Sequence, residues 1–218
     1  MHQEKSKNNF GIAFFLTLAM VVAAGVFVLV MGKKESFLLI NGYHNDYLDL
    51  LFKYFTHAGD GWMWVPLGLF CIFFKRKYII AVAAGIIIST LLAQFLKRVV
   101  FPDELRPITY LADNFSIHQV DGVSMLRNLS FPSGHTTTAF TMVLILAHMI
   151  NKKSWSVMLP LLALLAGYSR IYLGQHFLTD VLAGMCIGIL SAVLSLMIYK
   201  SFIKSLSKKH ASDIIKEN

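Results

Sequence analysis

Charge is what this chain has least of. Asp, Glu, Lys and Arg make up 15% of its 218 residues against 56% hydrophobic, and the mean hydropathy is +0.61. A soluble domain of this length cannot enclose so much apolar surface, so the composition excludes an ordinary water-soluble fold and points to lipid as solvent. Acidic residues are the scarcer sign, 12 against 20 Lys and Arg, for a net charge of +8. That excess lies in short loops and tails between apolar runs, where it reads as a topology signal. No base-reading motif accompanies it, which argues against a nucleic-acid partner. Cysteine numbers two, Cys71 and Cys186, both inside apolar runs. A free thiol there behaves as a small hydrophobe, so both are expected as buried thiols, and neither reports on redox compartment. Internal repeats and low-complexity segments are absent. The first apolar run is too long for a signal-peptide core and lacks a small-residue cleavage site, so it reads as a retained helix. One domain, 1–218, is the expected organisation.

What the chain does have is apolar runs of spanning length, about 20 residues each. Phe10–Met31, Trp62–Phe74 (extended upstream), Tyr78–Leu96, His135–Ile150, Trp155–Leu173 and Phe177–Tyr199 predict an all-α bundle of six transmembrane helices. Leu38–Phe55, broken by Asn45, Asp46 and Asp49, predicts an amphipathic segment at the interface before the second span. Lys5, Lys7, the KRK at 75–77, Lys152, Lys153 and the basic tail then share one side, the cytoplasmic one by the positive-inside rule. Lys33, Lys34 and Lys53 fall on the other side against this trend.

Three polar clusters reach that other side. LKRVVFPDELRP (Leu96 to Pro107) contributes Lys97 and Arg106. FPSGH (Phe131 to His135) opens a helix whose first N–H groups lack partners, where glycine allows close approach and anions bind. A serine N-cap with an incidental histidine is the plainer alternative. SRIYLGQHFLTD (Ser169 to Asp180) sets His176 and Asp180 four apart, on one helical face, so the carboxylate can orient the imidazole. An oriented imidazole suits a nucleophile or general base, and Arg170 offers a planar fork for phosphate oxygens. With no paired carboxylates and no helix carrying two spaced metal ligands, the inventory suits metal-free phosphoryl transfer through a histidine, with no cofactor.

These segments closely resemble the motifs of the type-2 phosphatidic acid phosphatase family of membrane lipid phosphatases, a superfamily that includes glucose-6-phosphatase and the vanadium haloperoxidases. Its pattern runs K-x6-RP, PSGH, SR-x5-H-x3-D. Pro132–His135 and Ser169–Asp180 match in full, whereas eight residues rather than six separate Lys97 from Arg106. The resemblance implies that His176 attacks phosphorus to form a phosphohistidine, Asp180 holds its ring, and His135 protonates the leaving group. It further implies that Lys97, Arg106, Ser133, Gly134 and Arg170 bind the phosphate oxygens. The implied protein is a metal-independent lipid phosphatase of the plasma membrane, with its site on the extracytoplasmic face. Undecaprenyl pyrophosphate is the favoured substrate, ahead of phosphatidylglycerol phosphate, phosphatidic acid and lipid A phosphate. A transporter with a polar path, or a lipid-phosphate binder without turnover, are the alternatives from other classes. His44 and His57 are given no role. Asp60 is expected to be a helix N-cap, and His118, in the long polar loop Asp103–Asn128, a solvated side chain. A loop of that length suits a lid or binding segment.

Overall fold

The structure, a computed structural model, describes residues 2–111, 115–150 and 152–217. Among the described residues every regular element is helical: α1 (His2–Met31), α2 (Lys33–Gly42), α3 (Asp46–Phe55), α4 (Trp64–Phe74), α5 (Ile79–Phe95), α6 (Pro107–Tyr110), α7 (Gly134–Met149), α8 (Lys153–Tyr172) and α9 (Leu178–Glu217). Among the described residues four stretches are long and apolar enough to cross a membrane: Asn9–Met31, Arg76–Val100, Lys153–Tyr172 and Leu178–Lys208. They coincide with four of the six expected spans. The other two are shorter, an apolar stretch over Gly61–Phe74 and the 16-residue α7. The expected single segment Leu38–Phe55 is two helices, parted after Gly42 where Tyr43 turns extended and Asn45 caps α3 by accepting from Leu48 N–H at 3.0 Å.

The bundle is built around α7, which packs against α9, α8, α5 and α1. Twelve of its sixteen residues are buried, which is why a helix of only about 24 Å can sit at the centre: its neighbours meet the lipid in its place. Its threonines do not leave hydroxyls stranded in that core. Thr137 and Thr141 donate to the carbonyls four residues back, at 3.0 and 2.7 Å, the usual solution for a buried helical hydroxyl. Outward faces carry apolar side chains instead, Phe15, Val22 and Leu29 on α1 and Phe73 on α4 among them, as expected where the surroundings are hydrocarbon.

Close approach of α7 to α9 depends on small residues. Gly184 and Gly188 stand one helical turn apart; a Cβ on the first would lie 2.7 Å from Ser133 O, and on the second 2.6 Å from Phe140 Cβ. This small-xxx-small spacing is a common contact surface between helices in lipid. Both cysteines are free; Cys71 is buried, as expected, but Cys186 is exposed, because it faces away from α7 on the same helix. At one end of the bundle Phe10, Tyr78, His148 and Tyr199 meet, with Tyr78 Oη 3.0 Å from His148 Nδ1 and its ring stacked on Tyr199 at 4.4 Å. The basic links at 75–77 and 152–153 leave from this end. The three polar clusters lie at the other.

Candidate active site

The first cluster owes its geometry to a local underwinding. α5 ends in a π-helical turn, Leu96–Val100, the kind of single-turn expansion often found at functional sites. That turn and the bend after it lead from Lys97 to Arg106. It carries Lys97 inward, 9% exposed, with Nζ donating to Leu129 O at 2.6 Å and Ser130 O at 3.4 Å. Leu129 has φ +56°, a left-handed conformation that costs a bulky residue energy and here aims its carbonyl at the ammonium. Arg98 turns outward instead, to Gln94 at 2.9 Å. Arg106, buried, donates Nε–H to Asn128 O at 3.1 Å and Nη1–H to Gln175 O and Oε1 at 3.0 and 3.1 Å. Burial pushes its pKa down, with Asp180 opposing.

At the second cluster Ser133 is the N-cap of α7: its Oγ accepts from Thr136 N–H at 3.4 Å and Thr136 Oγ1–H at 2.9 Å. Its backbone N–H donates to Asp180 O at 3.0 Å, tying the second cluster to the third. Gly134 and His135 follow at the cavity wall.

The third cluster is held by one carboxylate. Asp180 Oδ2 accepts from Ser130 Oγ–H at 2.5 Å, Phe177 N–H at 3.0 Å and His176 Nδ1 at 3.2 Å. An ionised carboxylate only accepts, so Nδ1 carries the ring proton and Nε2 is left with its lone pair. His176 is 2% exposed, and desolvation pushes its pKa down to about 3 against the pull of Asp180. Arg170 donates Nη1–H to Thr56 Oγ1 at 2.6 Å, while its buried Nε has no hydrogen-bond partner. Lys97, Arg106, Gly134, His135, Arg170 and His176 line one cavity of about 450 Å³, which Arg98, Arg127 and the loop residues 126–129 also wall. Of the expected site residues, Ser133 and Asp180 stand behind that wall, fully buried.

Asp60 does not do what its place before a helix suggests. Its carboxylate makes no cap hydrogen bond; it meets His135 Nε2 at 2.5 Å, His57 Nδ1 at 2.6 Å and Trp62 Nε1 at 3.2 Å. His135 first and His57 after it outweigh partial burial and hold its pKa below the usual carboxylate range. His118 is likewise not a solvated loop residue. It is partly buried, stacked on His44 at 3.8 Å and bonded to Asp49 at 2.8 Å, because Asn41 draws the loop onto α2 by bonding its backbone on both sides. Thr56, Asp60 and Gln175 are contributors that sequence reading missed. Gln175 stood inside the third motif beside His176, but Thr56 and Asp60 carried no spacing signal, their partners lying 114 and 75 positions onward.

Residues 63–204 match the PAP2 superfamily. A lipid A 4'-phosphatase of Porphyromonas gingivalis is 26% identical, aligned over 81% of this chain and 75% of that protein. An undecaprenyl-diphosphatase of Sulfolobus acidocaldarius is 25% identical over 85% of this chain and 90% of its own length. Among solved structures, LpxE of Aquifex aeolicus superposes with a TM-score of 0.67 at 35% identity, covering 74% of this chain and 92% of that one.

Proposed function

We propose, from the premise that the chain belongs to the PAP2 superfamily and is a multi-pass membrane hydrolase of phosphate esters, that it removes phosphate from a lipid phosphate or diphosphate through a phosphohistidine on His176. The observation that carries this reading is Arg170, whose buried Nε has no hydrogen-bond partner among the described residues and which lines the cavity that also holds His176 and two further buried cations. A buried unpaired donor is costly, and a phosphate oxygen would relieve it. In the first step the His176 Nε2 lone pair attacks phosphorus, the bond from phosphorus to the leaving oxygen breaks, and protonated His135 gives that oxygen its proton. Lys97, Arg106 and Arg170 stabilise the charge on the phosphoryl oxygens, and the N–H of Gly134, held at the cavity wall by the Ser133 cap, adds to that field. In the second step neutral His135 takes a proton from water, which displaces His176 and releases inorganic phosphate. The cationic side chains supply the charge that a metal ion brings to other phosphatases.

Undecaprenyl diphosphate is the favoured substrate. Arg98 and Arg127 at the rim add two cations beyond the inner set, enough for a second phosphate. A lipid A phosphate is the second reading, favoured by the relatives named lipid A 4'-phosphatase. Phosphatidylglycerol phosphate and phosphatidic acid follow. In this reading α4 and α7 cross the plasma membrane with the four longer spans, making six, and the catalytic end faces outward. Lys33 sits within 3.0 Å of Glu104 and Lys53 bonds Asp121 O, so the cations that run against the charge bias have local partners. α3 would lie in the headgroup layer, its exposed Tyr47, Leu50, Leu51 and Tyr54 toward the acyl chains.

The test is phosphate release by purified protein from a panel of lipid mono- and diphosphates, with and without chelator. Turnover should survive the chelator and fall at least about a thousandfold in His176→Ala. Arg127→Ala should weaken diphosphate hydrolysis more than monophosphate hydrolysis. Wild-type turnover by His176→Ala would end the reading, and substrate flux without hydrolysis in proteoliposomes would replace it with transport.

A further inference from the structure

We infer that Asp60, outside all three motif segments, is the positioning residue of the acid His135: its carboxylate holds the ring in place and stabilises the imidazolium that gives up the proton. This rests on the reaction proposed above. The contact is short, 2.5 Å from His135 Nε2 to Asp60 Oδ1, and the chain around Asp60 is built for it. Residues Thr56–Gly59 form one 3-10 turn, closed by Asp60 N–H donating to His57 O at 3.1 Å. Gly59 is buried against His135 itself: a Cβ there would stand 2.9 Å from His135 O and 3.0 Å from its Cβ. Only a residue without a side chain lets the turn approach so closely. The turn's first residue, Thr56, takes the Nη1–H of Arg170. A single turn of chain therefore braces both the acid and the phosphate clamp.

The charges around His135 give the carboxylate its task. Arg170 from α8 and Arg106 from the loop after α5 line the same cavity as His135, Asp60 is the carboxylate that meets its ring, and His57 stands behind that carboxylate. The two histidines thus each have a carboxylate, used in opposite senses. Asp180 fixes the tautomer of a ring that burial keeps neutral; Asp60 offers a negative partner to a ring that must carry a proton to the leaving group. With Nε2 given to Asp60, the proton leaves from Nδ1. That proton passes to the leaving oxygen as the phosphorus–oxygen bond breaks, and the freed Nδ1 lone pair accepts one from water in the second step.

Asp60→Asn separates positioning from architecture by its dependence on the leaving group. The alkoxide that leaves a lipid monophosphate must be protonated as it departs, whereas p-nitrophenolate, like the phosphate that leaves a diphosphate, need not be. The variant should lose about 100-fold in kcat/KM on the lipid phosphate and change little on p-nitrophenyl phosphate. The basic limb of its pH profile should move to lower pH, and Asp60→Glu should recover most of the loss. Equal losses on both substrates with the limb unmoved, or no loss on either, would overturn the inference. Should Asp60→Asn not fold, His57→Gln at the exposed neighbouring ring frees Oδ2 for His135 and should move the basic limb to higher pH; an unmoved limb again overturns it. Since His176→Ala tests the reaction on its own, an inactive His176→Ala beside a wild-type-like Asp60→Asn would remove this inference alone.

Discussion

A histidine that serves as nucleophile needs a lone pair, and the surroundings of His176 supply one at any ordinary pH. The ring is almost wholly buried and faces Arg106 and Arg170, so desolvation first and those charges second keep it neutral, with a pKa pushed down to about 3 although Asp180 pulls upward. The linkage has a definite sign. The unfolded ring binds its proton near 6.5, the folded ring only near 3. Between those values the unfolded state holds more protons, and stability rises with pH. Thermal unfolding in detergent should therefore show a midpoint that falls as pH drops below about 6.5, and His176→Asn should flatten that slope; a slope unchanged in the variant would refute the burial argument. His176 and Asp180 were legible in sequence because their i to i+4 spacing encodes the contact between them, and His135 and Arg170 because they stand inside the PSGH and SR-x5-H-x3-D segments. Asp60 was not. Its carboxylate looked like a cap because every Asp before a helix does, and only the folded chain shows the cap bond unmade and a ring from α7 in its place.

Helices were legible where their function is to meet lipid. α1, α5, α8 and α9 read directly from long apolar runs, since hydropathy reports what faces hydrocarbon. The break between α2 and α3 was hidden inside an amphipathic pattern that either one or two helices would satisfy. The π turn at Leu96–Val100 was equally hidden, because i to i+5 bonding leaves no compositional mark. Contact between α7 and α9 makes a prediction at this scale. A methyl at Gly188 meets Phe140 Cβ at 2.6 Å, whereas one at Gly68 of α4 meets nothing within 4 Å. Gly188→Ala should lower stability by about 1–3 kcal/mol, the usual range for overpacking. Gly68→Ala should be neutral or slightly stabilising, as helix propensity favours alanine. Unfolding in detergent decides it, and equal effects would mean that α9 does not seat on α7 through its glycines.

Across the whole molecule the polar site and the basic links between spans go to opposite ends. The 75–77 and 152–153 links lie with the aromatic cluster of Tyr78, His148 and Tyr199; the cavity lies at the other end, under the loop that Gln175 ties down through Ser124 O at 3.1 Å. If the charge bias sets orientation, a cysteine placed at Gln119 should react with a membrane-impermeant maleimide in intact cells, and one at Lys77 only after permeabilisation. The reverse pattern would put the site in the cytoplasm. The central claim, that His176 takes the phosphoryl group, is tested most directly by quenching the enzyme in mid-turnover with substrate labelled in its phosphate and mapping the protein-bound label. The account predicts an acid-labile, base-stable phosphoryl group on the peptide containing His176, absent from His176→Ala. Label on any other residue, or steady turnover with no protein-bound phosphate at any time, would contradict it.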